Sequence, residues 1–212
     1  LGGCLAEYLL VQEEVIEGQS LLRLPDKTLP YFAVSMCEPI SCVVSSHFRH
    51  VHLPKKYPAD PWTPRQGILP GGLCVVVGAG TMGRINIELA MRYTPRCIVA
   101  VDPVPHQLEW VRTNLSDKAV DLGIELITCS PEESLQLVRD ISASQMASDV
   151  IVAVGKREVQ EAAVELAGRG GVVNLFGGLP RGGSDLRIDA LRIHYDEVRL
   201  VGSSGGDAFD LA

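Results

Sequence analysis

Six short apolar runs, spaced by stretches long enough for helices, constrain this chain more than any other feature. They are Leu73 to Val77 (LCVVV), Cys97 to Val101 (CIVAV), Ile124 to Thr128, Asp149 to Val154, Gly171 to Phe176 and Val198 to Val201. Strands that are apolar along their whole length, rather than at alternate positions, need a sheet covered on both faces. Between them, Thr81 to Tyr93, Pro105 to Leu122, Pro131 to Ser142 and Arg157 to Ala167 each allow about three helical turns or more. The pattern predicts an α/β chain with a doubly wound, parallel, six-stranded sheet. The fifth connection, Gly177 to Glu197, is too rich in Gly and Pro at its start for a long crossover helix, so a loop with at most a short helix is expected there.

The first of these strands runs into "VVVGAGTMG", where Gly78, Gly80 and Gly83 satisfy G-x-G-x-x-G between a strand and a helix. The first glycine permits a tight turn, the second lets backbone approach a pyrophosphate, and the third lets helix and strand pack closely. The free N–H groups of the helix start then meet the phosphates. The second strand ends in Asp102, 19 residues after Gly83 (102 − 83), where an acid would meet the adenosine ribose hydroxyls. A carboxylate there repels a 2′-phosphate, and no Arg or Lys follows in "DPVPHQ", so NAD is favoured over NADP. Candidate cofactor-binding residues are Gly78, Ala79, Gly80, Thr81, Met82, Gly83 and Asp102. Val154, Gly155, Phe176, Gly177, Ser203 and Ser204 join them on the carboxyl edge of the later strands.

Composition narrows the function classes. A formal charge of −7 without a basic cluster argues against nucleic acid. Apolar runs far shorter than the roughly 18 residues of a bilayer span argue against a membrane, and the chain reads as cytoplasmic. The six cysteines, Cys4, Cys37, Cys42, Cys74, Cys97 and Cys129, lie far apart, as buried reduced thiols would.

Before residue 70 the character changes. "AEYLLV" reads as a strand and "PDKTLPYFAVSM" as a Pro-interrupted loop. "CEPISCVVSSHFRH" reads as a helix opened by Glu38 and Pro39. The following connection, with Pro54, Pro58, Pro61, Pro64 and Pro70, is expected to lack regular structure. His47, His50 and His52 could form a metal cluster, but no nearby Cys or carboxylate completes one, so they are expected on the surface beside Arg49 and Lys55. His194 is expected in a loop or domain interface, and "SLQLVRDISASQ" as a solvated helix face.

The segments "GGCLAEYLLV", "CEPISCVV", "VVVGAGTMG", "IVAVD" and "VNLFGG", in this order, resemble the zinc-type medium-chain dehydrogenase/reductase family, in its polyol branch. "LRIHYDEVRLVGSSGG" and "GIELI" are most similar to L-sorbose 1-phosphate reductases and sorbitol dehydrogenase-like proteins. The resemblance implies a GroES-like catalytic domain with zinc as Lewis acid, and a Rossmann domain that delivers hydride from NAD(H) to a ketose or takes it from a sugar alcohol, or their phosphates. It points to Glu38 as the catalytic and metal-shell residue, while no Cys-Gly-x-Asp or Gly-His-Glu motif supplies the other ligands. On this reading residues 1–36 are part of the catalytic domain, 37–72 a helix and Pro-rich connection, and 73–212 the Rossmann domain, with both ends of the chain cut. A homodimer or homotetramer is implied too. A phosphorylated substrate would need a cation, and Arg49, Lys55, Lys56, Arg181 and Arg187 are available. The competing expectations are a non-catalytic dinucleotide-binding module, and a zinc-free quinone-type reductase, against which the Glu38-Pro39 pair argues.

Overall fold

The computed structural model describes residues 8–21, 23–24, 26, 28–55, 57–206 and 210. Its centre is a six-stranded parallel sheet of order β5-β4-β3-β6-β7-β8. The strands are β3 (Leu73–Val77), β4 (Cys97–Val101), β5 (Glu125–Cys129), β6 (Ala147–Val152), β7 (Ala167–Asn174) and β8 (Arg199–Val201). All five residues of β3 and all five of β4 are buried, which the apolar runs required. Each fully buried Val contributes about 1.5 to 3 kcal/mol relative to exposure.

Alternate residues of these strands feed two cores. Leu73, Val75, Val77, Val99 and Val150 pack on one face, and Cys74, Val76, Ile98, Ala100 and Ile151 on the other. Helices α4 (Thr81–Ala90), α5 (Pro105–Asp121), α6 (Pro131–Ile141) and α7 (Arg157–Ala163) cross between successive strands, and only the short α8 (Ala190–His194) precedes β8. Pro105 opens α5, where a missing N–H is harmless. The start of α6 is a capping box between Ser130 and Glu133. The apolar and helical spans expected from sequence therefore lie where they were read, with shifts of a few residues at their ends. The "SLQLVRDISASQ" segment is helical only to Ile141 and buries Ser134 and Val138; beyond it Ala143 and Ser144 turn left-handed, at φ 49° and 67°.

Ahead of the sheet come α1 (Glu13–Glu17), α2 (Tyr31–Val34), α3 (Cys37–Phe48), β1 (Val51–His52) and β2 (Arg65–Gln66). Three expectations are corrected here. Tyr8 to Val11 belong to no strand, while residues 6–7 of "AEYLLV" and Cys4 lie outside the described residues. The Pro-interrupted loop contains α2, because Pro30 sits just before the helix, where its fixed φ is tolerated. The proline-rich connection is not wholly irregular: Val51 pairs with Gln66 and His52 with Arg65 in a two-stranded antiparallel ladder. Among the described residues, no helix is long and apolar enough to cross a membrane.

Candidate functional site

The sheet's carboxyl edge opens into a cleft of about 690 Å³ whose walls include Gly78, Asp102, Val104, Leu135, Val154 and Lys156. Gly78 follows β3 at φ +98°, a conformation that favours glycine, and donates its N–H to Val101 O at 2.7 Å. At Gly83 a Cβ would lie 1.7 Å from the Gly78 carbonyl oxygen, so loop and helix meet there in van der Waals contact. At Gly80 a Cβ would meet nothing within 4 Å, which leaves that side of the loop open to a ligand. Gly80 caps α4, and the N–H groups of Thr81, Met82 and Gly83 occupy the first turn, where a helix makes no bonds of its own. These groups and the helix dipole suit an anion.

Asp102, at the end of β4, is 8% exposed and faces this loop. Its Oδ2 accepts from Ala79 N–H at 2.8 Å, and its Oδ1 from Val104 N–H at 2.8 Å. A carboxylate has about four lone-pair directions, so acceptor capacity remains for hydroxyls. Val154 and Gly155 follow β6, Phe176 and Gly177 follow β7, and Ser203 and Ser204 follow β8, so these residues share one edge of the sheet.

Sequence reasoning passed over the residues that shape this edge. Gln160, 2% exposed, donates to Gly177 O at 2.5 Å and to Val154 O at 3.4 Å, tying the loops after β6 and β7 together. Arg84 donates from Nε to Ala79 O at 3.0 Å and lies 4.0 Å over the Trp110 ring, bracing the glycine loop from behind. Its place one residue past the glycine motif was the available signal. Lys156 brings a cation to the cleft, within a short segment that reads only as a strand end.

Glu38 stands exposed in the first turn of α3, and its Oε1 accepts from Cys42 Sγ at 3.3 Å. The loop beyond β8 comes down on this turn: Gly206 donates to Cys42, and a Cβ at Gly206 would be 2.4 Å from the Ser41 carbonyl carbon. Glu38 is therefore at the end of α3 near the carboxyl edge. Among the described residues no set of three metal-ligand side chains gathers around it, so these residues do not by themselves fit a zinc ion.

The histidines are the clearest correction. His47, His50 and His52 are 1%, 0% and 4% exposed, not on the surface. The carboxylate missing from their neighbourhood in sequence is Asp149, on β6. His50 Nδ1 and His52 Nε2 both lie on Asp149 Oδ1, at 2.7 and 2.8 Å. Since a carboxylate only accepts, the protons are on those two nitrogens. Asp149 Oδ2 accepts from Leu69 N–H at 3.0 Å and Ser148 Oγ at 2.9 Å. Burial opposes ionisation of Asp149, but the bonds from His50 and His52 outweigh it and hold the carboxyl well below the usual range. The three groups could in principle face a cation. Their separations are hydrogen-bond lengths, however, whereas ligands on one tetrahedral zinc at about 2.0 to 2.1 Å would stand about 3.3 Å apart. The cluster is a hydrogen-bonded joint.

Other expected features fall as follows. His194 is exposed on α8, its ring edge-on to Tyr195 at 4.6 Å. Cys74, Cys97 and Cys129 are buried free thiols and Cys37 and Cys42 half-buried ones. Burial pushes Cys97 up to about 12 and Cys129 up to about 11. Arg49, Lys55, Arg181 and Arg187 are exposed, with the Lys55 Nζ 3.9 Å over the Trp62 ring, while Lys56 lies outside the described residues.

No protein-family model matches the chain. Its homologues include L-sorbose 1-phosphate reductase of Klebsiella pneumoniae, 25% identical over 209 residues, 97% of this chain and 49% of the relative. Mannitol-1-phosphate 5-dehydrogenase of Aliivibrio fischeri is 28% identical over 188 residues, 85% of this chain and 44% of the relative. The chain thus spans about half the length of the curated relatives it matches. Among solved structures, a zinc-binding dehydrogenase of Sinorhizobium meliloti bound to NADP superposes with TM-score 0.67 at 20% identity, covering 88% of this chain and 48% of that one. The alcohol dehydrogenase of Aeropyrum pernix gives TM-score 0.64 at 20% identity, over 90% and 48%. The fold is that of the dinucleotide-binding half of such dehydrogenases.

Proposed function

We propose that this chain is the NAD(H)-binding part of a zinc-type oxidoreductase that moves hydride between nicotinamide and a sugar alcohol or ketose, or its phosphate. The observation that carries it is the pairing of the glycine loop with Asp102. The open side of Gly80 and the first N–H groups of α4 suit a pyrophosphate, and the carboxylate beside them suits ribose hydroxyls. In this proposal Gly78 to Gly83 hold the phosphates and Asp102 the ribose. Val154, Gly155, Phe176, Gly177, Ser203 and Ser204 line the path to the nicotinamide, and Lys156 offsets the ligand's negative charge. NAD is proposed over NADP because a 2′-phosphate would be brought against the Asp102 carboxylate.

Two of the homologues are named for phosphorylated hexitols or ketoses, which supports the substrate class. Glu38 is the residue proposed for the reacting end. In an enzyme of the relatives' length it would also belong to a zinc shell whose other ligands are not among the described residues, and zinc would there polarise the alcohol oxygen. Residues 1–36 are proposed to belong to the catalytic domain. The edge strand β8 is proposed as the seam of a homodimer or homotetramer, and free thiols support a cytoplasmic setting.

A fluorescence titration with NADH and NADPH tests the cofactor assignment. Asp102→Ser should weaken NADH binding about tenfold or more and narrow the preference over NADPH. Gly80→Leu should abolish binding while leaving the melting temperature nearly unchanged. Retained NADH affinity in both variants would remove the loop and Asp102 from the site. Zinc content and mannitol 1-phosphate oxidation by the natural gene product then separate a dehydrogenase from a dinucleotide-binding module without chemistry.

A further inference from the structure

We infer that Asp149 is a positioning residue: through His50 it sets the seat of α3 on the sheet, and thereby where Glu38 and Cys42 stand near the sheet's carboxyl edge. The catalytic consequence rests on the role proposed for Glu38; the seat of the helix does not.

The buried face of α3 explains why such a joint is needed. Its buried residues are Ser41, Val43, Ser46 and His47, so a single aliphatic side chain is fully enclosed. Apolar contact is non-directional and would leave a helix with so small an apolar stripe free to slide or turn. Directional polar bonds fix it instead. Near the first turn, Gly206 lies on Ser41 and Cys42. Further down, Asn174 Nδ2 donates to Ser46 O at 2.9 Å, and His47 Nε2 pairs with Asn86 Oδ1 at 3.0 Å. Just past the last turn, His50 Nδ1 donates to Asp149 Oδ1. The helix, about 18 Å long, thus runs from the carboxyl edge toward the opposite edge, with its far end locked on β6. Asp149 cannot swing to follow a drifting helix, because its second oxygen is held by Leu69 N–H and Ser148 Oγ.

His50 and His52 give a built-in control. Both donate to the same oxygen, and both are buried. Only His50 continues directly from α3, whereas His52 belongs to β1. A merely structural joint would respond alike to loss of either; a positioning joint responds to His50 alone at the distant end of the helix.

The reporter is the alkylation rate of Cys42 by iodoacetamide in the full chain carrying Cys4→Ser and Cys37→Ser, with Cys74, Cys97 and Cys129 shielded by burial. His50→Ala should raise that rate about tenfold, as expected for loss of a hydrogen bond to a charged acceptor. His52→Ala should change it less than about twofold on the same grounds. His50→Asn, whose amide nitrogen falls near the position of Nδ1, should restore the slow rate. Should His50→Ala fail to fold, His50→Gln, whose amide lies one bond farther out, takes its place against His50→Asn. An equal rise in the His52 variant, or no rise when His50 loses its donor, overturns the proposal. The assay needs neither zinc nor substrate, so its failure is distinct from failure of the dehydrogenase assignment, which the NADH titration and turnover assay address.

Discussion

Residues 8–36 and residues 37–52 both precede the sheet and both contain helix, yet they are held in opposite ways. Helices α1 and α2 bury no residue, and Tyr31 and Phe32 are 89% and 77% exposed. Elements of four and five residues that enclose no side chain lie far below the roughly 12 to 15 residues at which an isolated helix becomes even marginal. Helix α3, by contrast, is joined to α4, β6, β7 and the loop after β8 by the bonds of His47, His50, Ser46 and Cys42. Membership of the folded unit is decided by what a segment buries, not by the helix it can form.

The comparison can be broken or sharpened by substitution. The largest effect is expected inside the sheet domain: Gly83→Ala drives a Cβ into the Gly78 carbonyl and should destabilise by about 3 kcal/mol or more in a urea titration. Stability close to the parent would mean that α4 can withdraw from the loop, and would loosen everything α3 leans on.

A smaller effect is expected from pH, and it belongs to α3 alone. Burial and the neighbouring His50 push His47 down to about 4, against its bond with Asn86. The fold therefore prefers the neutral ring, and its contribution is present above the unfolded value near 6.5 and is lost as pH falls toward 4. The loss should reach about 2 to 3 kcal/mol between pH 7.5 and 4.5. His47→Gln should flatten that part of the denaturation-versus-pH curve; an unchanged slope would assign it elsewhere.

The smallest effect is expected in the first region. Phe32→Ser should alter the stability of this chain by less than about 0.5 kcal/mol, since the ring touches little. A drop of several times that amount would show that residues 8–36 are part of the cooperative unit after all.

Legibility from sequence divides along the same line. The sheet could be read because strands buried on both faces must be apolar throughout, so LCVVV and CIVAV announce themselves without a partner. Strand β7 begins at Ala167, earlier than expected, because the Gly168 to Gly171 stretch resembles a loop yet joins the strand, with Gly170 at φ 70°, beside the register shift in β6. The glycine loop and Asp102 were legible because spacing alone places them. The buried histidines were not, since their partner lies 97 and 99 residues away. One clue was present: Asp149 opens a run of otherwise apolar residues, and a carboxylate inside a covered sheet must find donors. Gln160 and Lys156 escaped because a lone polar residue on a helix or strand end has no periodicity to betray it.

The two backbone bonds to Asp102 have a thermodynamic consequence for ligand capture. A free carboxylate side chain that must be ordered by its ligand surrenders about 0.5 to 1.5 kcal/mol of rotational freedom on binding. Ala79 and Val104 impose that order during folding, with both oxygens already directed before the ribose proposed for this site arrives. On the ribose role proposed for Asp102, selectivity at this position is a property of the protein before its ligand binds, set by the geometry of the strand end rather than by adjustment to the guest.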